Sequence, residues 1–307
     1  MSLPATTYRT GRWIERPWRA LALLPLMLIG ACSSADLVNA LVPRNDFTTE
    51  KNKPYGEQPR QTLDVYLPRD LEKPAPIVVF FYGGEWQSGT KDMYLFVGQA
   101  LANRGFIVVI PDYRIYPDVR FPTFLEDSAR SVKWAVDRAT SLGGDPQRIY
   151  LMGHSAGAYI AAMLALDKEW LQNVGLDSRT DIRGTIGLAG PYDFLPLKST
   201  TLKTIFGPED QLPRTQPINF VDGKAAPMLL LTGEDDDTVE PTNTTRLADR
   251  IRHQGGSVRE LYYSNMGHVK LVGTLAAPLQ FLAPTIDNIA MFIDRSESRS
   301  LTATSDR

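Results

Sequence analysis

The stretch 148–165, RIYLMGHSAGAYIAAMLA, constrains what this chain can fold into more than any other. Positions 149–152 (Ile, Tyr, Leu, Met) read as a buried strand, Gly153-His154-Ser155-Ala156-Gly157 as a tight turn, and the small apolar residues beyond as a helix. A Gly-x-Ser-x-Gly turn between a strand and a helix lifts the serine to where a neighbouring base can reach it. The base is needed because a serine hydroxyl is protonated at neutral pH and attacks a carbonyl only when its proton is taken. The two glycines fit the same picture, since so sharp a turn leaves no room for Cβ atoms against the strand and helix.

A strand leading into such a turn needs a sheet around it. Positions 76–81 (PIVVFF) and 106–110 (FIVVI) are continuous apolar runs, as in central strands covered on both faces. Between and after them lie helical patterns. One spans 93–104 and stops at Gly105; the other opens at Pro122, aligns Leu125, Ala129, Val132 and Val136 on one face, and stops at Gly143-Gly144. This alternation predicts an α/β fold, a mostly parallel twisted sheet with helices on both faces and right-handed crossovers. With 307 residues, 43% hydrophobic and 22% charged, the chain is large enough for one such core. The net charge of -2 provides no basic surface for nucleic acid, so the ligand must be inferred from the chemistry of the site.

The residues before Cys32 stand outside that fold. Arg9, Arg12, Arg16 and Arg19 precede an apolar run over 20–31, which is shorter than a membrane span requires and ends Ile29-Gly30-Ala31-Cys32-Ser33-Ser34. Basic, apolar and small-residue segments in that order describe a secretory signal. The ending resembles a bacterial lipobox, which implies that Cys32 is lipidated and becomes the N-terminus of an exported, membrane-anchored lipoprotein. Cys32 is the only cysteine, so no internal disulfide competes for it. Ser33, where inner-membrane retention would want Asp, resembles outer-membrane sorting in a cell with two membranes. The alternative is a plain signal peptide or an uncleaved anchor. The expected division is a signal over 1–31, a lipid-anchored tether over 32–58, a catalytic domain over 59–295 and a disordered tail over 296–307. Within the tether the apolar patch 37–42 is expected to lie on the domain. The domain opens with Leu63, Val65 and Leu67 alternating as in an edge or half-buried strand, and closes with a helix over 285–293.

The search for a base is short, because the chain has three histidines. His154 adjoins Ser155 in the turn and is expected to point away from its hydroxyl. His253 ends the helical stretch 242–252 beside Arg250 and Arg252 and reads as a solvated cap. His268, in the loop Ser264-Asn265-Met266-Gly267-His268 after a strand over 258–263, is left as the base. An acid that orients it should follow another strand. Positions 228–231 (MLLL) are that strand, and Glu234, Asp235, Asp236 and Asp237 follow, so the residues alone leave the choice of acid open. Two glycines, Gly83 and Gly84, come directly after the strand 76–81 in Tyr82-Gly83-Gly84-Glu85-Trp86; they free the backbone to turn N–H groups outward, as an oxyanion hole requires. There is no cluster of His and Cys at metal-ligand spacing, and no metal or cofactor is expected.

Over 55–294 the chain resembles an α/β-hydrolase of the carboxylesterase branch, close to feruloyl-esterase-like, kynurenine-formamidase-like and hormone-sensitive-lipase-like esterases. The serine turn, the Gly-Gly loop and Asp112-Tyr113-Arg114 carry the likeness, with Tyr82 standing where those families have His. Their acid motif Gly-x-x-Asp-x-x-Val fits Gly233, Asp236 and Val239, which implies Asp236 as the acid, with Asp235 second. The order Ser155, Asp236, His268 is that of α/β-hydrolases. The resemblance implies hydrolysis through an acyl-enzyme, with the N–H of Ala156 and that of Gly84 or Glu85 holding the oxyanion. It also implies that Asp112 and Arg114 brace the loops rather than react.

The expected function is therefore a serine carboxylesterase acting on small to medium carboxylic esters, whose partners are a small-molecule ester and, through the anchor, a membrane. Amide or formamide hydrolysis, including peptidase-like action, on the same residues is the second reading, and a non-catalytic binding lipoprotein the third. The insertion 191–224, rich in Pro and Thr with scattered apolar residues, is expected either to cap the site or to be an inert surface excursion.

Overall fold

The structure is a computed structural model that describes residues 34–71 and 73–305. The proposed signal and Cys32 lie outside the described residues. In chain order the elements are α1 (Ser34–Ala40), β1 (Phe47–Pro54), β2 (Thr62–Pro68), β3 (Ala75–Phe81), α2 (Leu95–Ala102), β4 (Ile107–Pro111), α3 (Thr123–Arg138), β5 (Gly144–His154), α4 (Ala156–Leu166) and α5 (Glu169–Gln172). Then come β6 (Gly184–Leu188), α6 (Thr200–Phe206), β7 (Met228–Gly233), α7 (Thr242–His253), β8 (Val258–Tyr263), α8 (His268–Gly273) and α9 (Thr285–Ser305).

Among the described residues the strands form one eight-stranded sheet, ordered β1-β2-β4-β3-β5-β6-β7-β8. The pairs β1/β2 and β2/β4 are antiparallel, and from β4 onward every neighbour is parallel. The apolar runs take the central places: each residue of β3, β4, β6 and β7 is buried. So is each residue of α4, whose small side chains let it lie close to the sheet. With central parallel strands, the loops at their C-terminal ends gather at one edge of the sheet, and a ligand site belongs there.

Two expectations need correcting. Part of the supposed tether is sheet: residues 47–54 are β1, paired with β2 from Phe47 opposite Pro68 to Pro54 opposite Thr62. Their sequence, Phe-Thr-Thr-Glu-Lys-Asn-Lys-Pro, lacks apolar alternation because β1 is an edge strand, and charged side chains on an edge discourage further pairing. The other correction concerns the C-terminus, where the last helix continues beyond 293 to Ser305 in place of the expected disordered tail. No glycine or proline occurs between 285 and 305 to stop it.

The patch 37–42 does lie on the domain. Asn39 Nδ2 donates to the carbonyls of Asp92 and Met93, its Oδ1 accepts from the Phe96 N–H, and Val42 is buried.

Candidate active site

Four loops at the C-terminal edge of the sheet meet: the one after β3 with Gly83 to Trp86, the turn after β5 with Ser155, the loop after β7 with Asp236, and the loop after β8 with His268. The serine turn is as tight as its glycines suggest. A Cβ on Gly153 would lie 2.1 Å from the Gly157 carbonyl oxygen, and one on Gly157 would lie 2.0 Å from the Phe81 carbonyl oxygen. Ser155 itself has φ 57° and ψ -123°, a region costly for a side-chain-bearing residue, held by its N–H bond to the Leu188 carbonyl and by α4 behind it.

His268 joins the other two residues. Its Nε2 lies 2.8 Å from Ser155 Oγ and its Nδ1 lies 2.8 Å from Asp236 Oδ2. The other carboxylate oxygen, Oδ1, accepts the N–H groups of Thr238 at 3.0 Å and Val239 at 2.9 Å. Burial pushes the Asp236 carboxyl up, but the hydrogen bonds from His268, Val239 and Thr238 outweigh it and hold the carboxyl below its ordinary range. An ionised Asp236 accepts only, so Nδ1 carries the imidazole proton and Nε2 is left to accept from the serine hydroxyl. Asp235 and Asp237 are exposed, so of the aspartates open at the sequence level only Asp236 meets the histidine.

His154 also meets it. The Nε2 of His154 lies 3.1 Å from the His268 carbonyl oxygen and the two rings are 4.8 Å apart. His253 is exposed at the end of α7, as expected of a cap.

The loop after β3 is held from beneath by Asp112, in the bracing place the resemblance implies, and by Arg60 and Lys91, which sequence reasoning did not find. The Tyr82 hydroxyl donates to Asp112 Oδ1 at 2.7 Å and accepts from Arg60 Nη2 at 2.8 Å. Arg60 donates also to the carbonyls of Gly89 and Tyr113, and the Lys91 N–H donates to Asp112 Oδ1 at 2.8 Å. Tyr82 stacks between Tyr94 and Tyr113. Arg60 belongs to a stretch of no regular pattern, so only the fold could bring it here. Arg114 pairs with buried Asp127 through two 2.8 Å hydrogen bonds, consistent with a bracing part. Above this support the backbone folds sharply: Gly84, Glu85 and Trp86 have φ of 136°, 53° and 59°, and Gly84 O accepts the N–H groups of Gln87 and Ser88.

Ser155, Glu85, Trp86 and Ala156 line a cavity of about 490 Å³. Phe194, Leu195 and Leu202, all within 191–224, give it an apolar wall. Trp86 stacks on Phe194 at 6.0 Å and meets Phe206 edge-on at 4.7 Å, fixing the wall to the loop after β3. Asp193, Glu240 and Arg246 form a polar rim, with Arg246 Nε 2.8 Å from Asp193 Oδ2. Among the described residues no group of three or more His, Cys, Asp or Glu could hold a metal ion, and no helix is long and apolar enough to cross a membrane.

Sheet order, crossover helices and a serine on the turn after β5 define an α/β-hydrolase fold. The profile of the BD-FAE family matches residues 63–251, and the chain belongs to that family. It is 33% identical over 235 residues, 70% of this chain and 56% of the relative, to a probable isoprenylcysteine alpha-carbonyl methylesterase of Oryza sativa subsp. japonica. It is 37% identical over 147 residues to the kynurenine formamidase of Danio rerio, 48% of this chain and 47% of that one. The chain thus spans about half the length of the curated relatives it matches. Among solved structures, an inhibited esterase B from Lactobacillus rhamnosis superposes with a TM-score of 0.78 at 19% identity, covering 93% of this chain and 99% of that one.

Proposed function

We propose that the chain is a serine carboxylesterase that works through an acyl-enzyme. The observation that carries this reading is the unbroken line from Asp236 through His268 to Ser155, with both links at 2.8 Å and the serine opening on a largely apolar cavity. In the first half-reaction Ser155 Oγ bonds to the ester carbonyl carbon while its proton passes to His268 Nε2. The carbonyl oxygen takes up the negative charge and is held by the N–H of Ala156 with that of Gly84 or Glu85. The imidazolium returns the proton to the departing alcohol as the C–O bond breaks, and Asp236 steadies the charge on the ring. Water then repeats the sequence on the acyl-enzyme, releasing the acid and restoring Ser155.

The relatives named as methylesterases and esterases favour ester over amide. The relatives named kynurenine formamidase favour a second reading, formamide hydrolysis by the same residues. Hydrolysis of p-nitrophenyl esters and aryl formamides by the purified chain, beside Ser155→Ala, tests both. Serine-dependent turnover of esters supports the first and a preference for formamides the second. A folded chain that turns over neither and ignores a fluorophosphonate probe is a binding protein instead.

The N-terminal pattern supports export and lipidation at Cys32, outside the described residues. Incorporation of labelled palmitate that is lost in Cys32→Ala tests the anchor.

A further inference from the structure

His154 is buried, and its two ring nitrogens differ. Nε2 faces the His268 carbonyl oxygen at 3.1 Å. A carbonyl only accepts, so Nε2 carries the proton and the tautomer is fixed. Nδ1 is also buried but has no hydrogen-bond partner among the described residues. Leaving it so costs about 1–3 kcal/mol. A hydrocarbon side chain would fill the same space without that cost, so packing alone does not account for an imidazole here.

We propose that His154 is a positioning residue for the catalytic base: its Nε2–H grips the His268 carbonyl and so sets that imidazole between Ser155 and Asp236. This rests on His268 being the base of the proposed hydrolase. The geometry makes one short device of three parts. His154 precedes Ser155 on the turn after β5, whereas His268 begins α8 after a loop of Ser264, Asn265, Met266 and Gly267. The bond from His154 ties that loop to the turn that carries the nucleophile, fixing base against nucleophile independently of the Asp236 link. Room for the ring comes from Gly83, where a Cβ would lie 3.2 Å from His154 Nδ1 and 2.8 Å from Ser155 Cβ.

The ring also has to stay uncharged beside His268, which becomes an imidazolium during the reaction. Burial, reinforced by His268 itself, pushes His154 down to about 3, although the bond to the His268 carbonyl and the Asp236 charge pull the other way. A neutral His154 can hold its neighbour without repelling the proton that neighbour must take up.

The test compares His154→Leu, which fills the space but cannot donate, with His154→Gln, whose amide can. Two readouts are taken: the rate of labelling by a fluorophosphonate probe, and the low-field proton resonance of the His268 Nδ1–H bonded to Asp236. We expect His154→Leu to label about 10- to 100-fold more slowly, as for a misplaced reacting group, with kcat on p-nitrophenyl esters falling and KM held. His154→Gln should stay within about threefold, since it keeps one hydrogen bond. The resonance should exchange away in His154→Leu and persist in His154→Gln. If His154→Leu labels at the wild-type rate and keeps the resonance, the proposal is overturned. Should the wild-type chain itself ignore the probe, it is the hydrolase reading that fails. The resonance then decides alone: lost only in His154→Leu it supports the positioning role, unchanged it removes it.

Discussion

The Tyr82 hydroxyl donates to Asp112 Oδ1 at 2.7 Å, directly beneath the glycines that turn the loop after β3. Burial raises the Asp112 carboxyl above its ordinary range, opposed by the hydrogen bonds from Tyr82 and the Lys91 N–H and by the charges of Arg60 and Lys91. The related families place a histidine at position 82. Here a tyrosine keeps a donor at the same place in the chain and adds an aromatic stack.

Tyr82→Phe preserves that stack and removes the donor. It leaves Asp112 with fewer partners and Arg60 without the phenol oxygen. Expected are a loss of about 1–3 kcal/mol in urea unfolding, the cost of stripping a buried carboxyl of one partner, and a lower kcat on p-nitrophenyl esters. Unchanged kcat in a destabilised variant would show that the brace serves stability and not the oxyanion loop.

Asp236→Asn should lower kcat by about 10²- to 10⁴-fold, because the amide cannot both accept from His268 Nδ1–H and steady the imidazolium. Asp235→Asn alters an exposed side chain one position away and should leave kcat within about twofold, as surface changes do. Measuring the two together separates the carboxylate that touches the ring from the general acidity of the loop.

The serine turn was legible in the sequence because each of its requirements is local. Gly153 and Gly157 have no space for a Cβ, and a strand and helix flank them in order. Ser155 and the acidic loop were legible for a related reason, since each follows a buried apolar strand, whereas β8 before His268 has no apolar run, so that His268 follows from elimination among three histidines and Asp236 from the family resemblance. What escaped detection depends on pairings across the chain. Arg60 reaches Tyr82 and the Gly89 carbonyl only once β2 lies beside β4, and no local pattern encodes that. β1 was concealed by the polar surface that suits an edge. The His154 ring meets the His268 carbonyl and not the Ser155 hydroxyl, and that contact is invisible in the sequence because 114 residues separate the two.

The low value of His154 also predicts how stability depends on pH. In the unfolded chain the group takes a proton near its ordinary value of 6.5, whereas in the folded chain it resists to about 3. Between those limits the unfolded state binds more protons, so the fold loses stability as pH falls, by up to about 1.4 kcal/mol per unit. Asp236 contributes in the same direction, but its stabilisation is lost only as pH falls through and below the carboxylate range. Between about pH 6.5 and about pH 5 the burial-raised Asp112 carboxyl contributes with the opposite sign in wild type and variant alike, so the difference between their urea-unfolding curves reports His154, and His154→Leu should lose less stability than wild type as pH falls. An equal slope in that variant would mean that His154 is protonated in the fold.

The cavity raises the question of which part of the ester it receives. Leu202, on α6, faces it together with Phe194 and Leu195, and Leu202→Trp would take up much of that space without touching Ser155, Asp236 or His268. Apolar pockets discriminate by about 1–3 kcal/mol per methylene, so a filled pocket should lower kcat/KM for a long chain by about tenfold or more while sparing a short one. Two substrate series identify the occupant. If the acyl group lies in the cavity, Leu202→Trp should penalise p-nitrophenyl octanoate relative to the acetate and treat all alkyl acetates alike. If the alcohol lies there, the alkyl acetates should separate by chain length and the p-nitrophenyl series should not. A variant that discriminates in neither series would place the substrate outside this cavity, against the open polar rim of Asp193, Glu240 and Arg246.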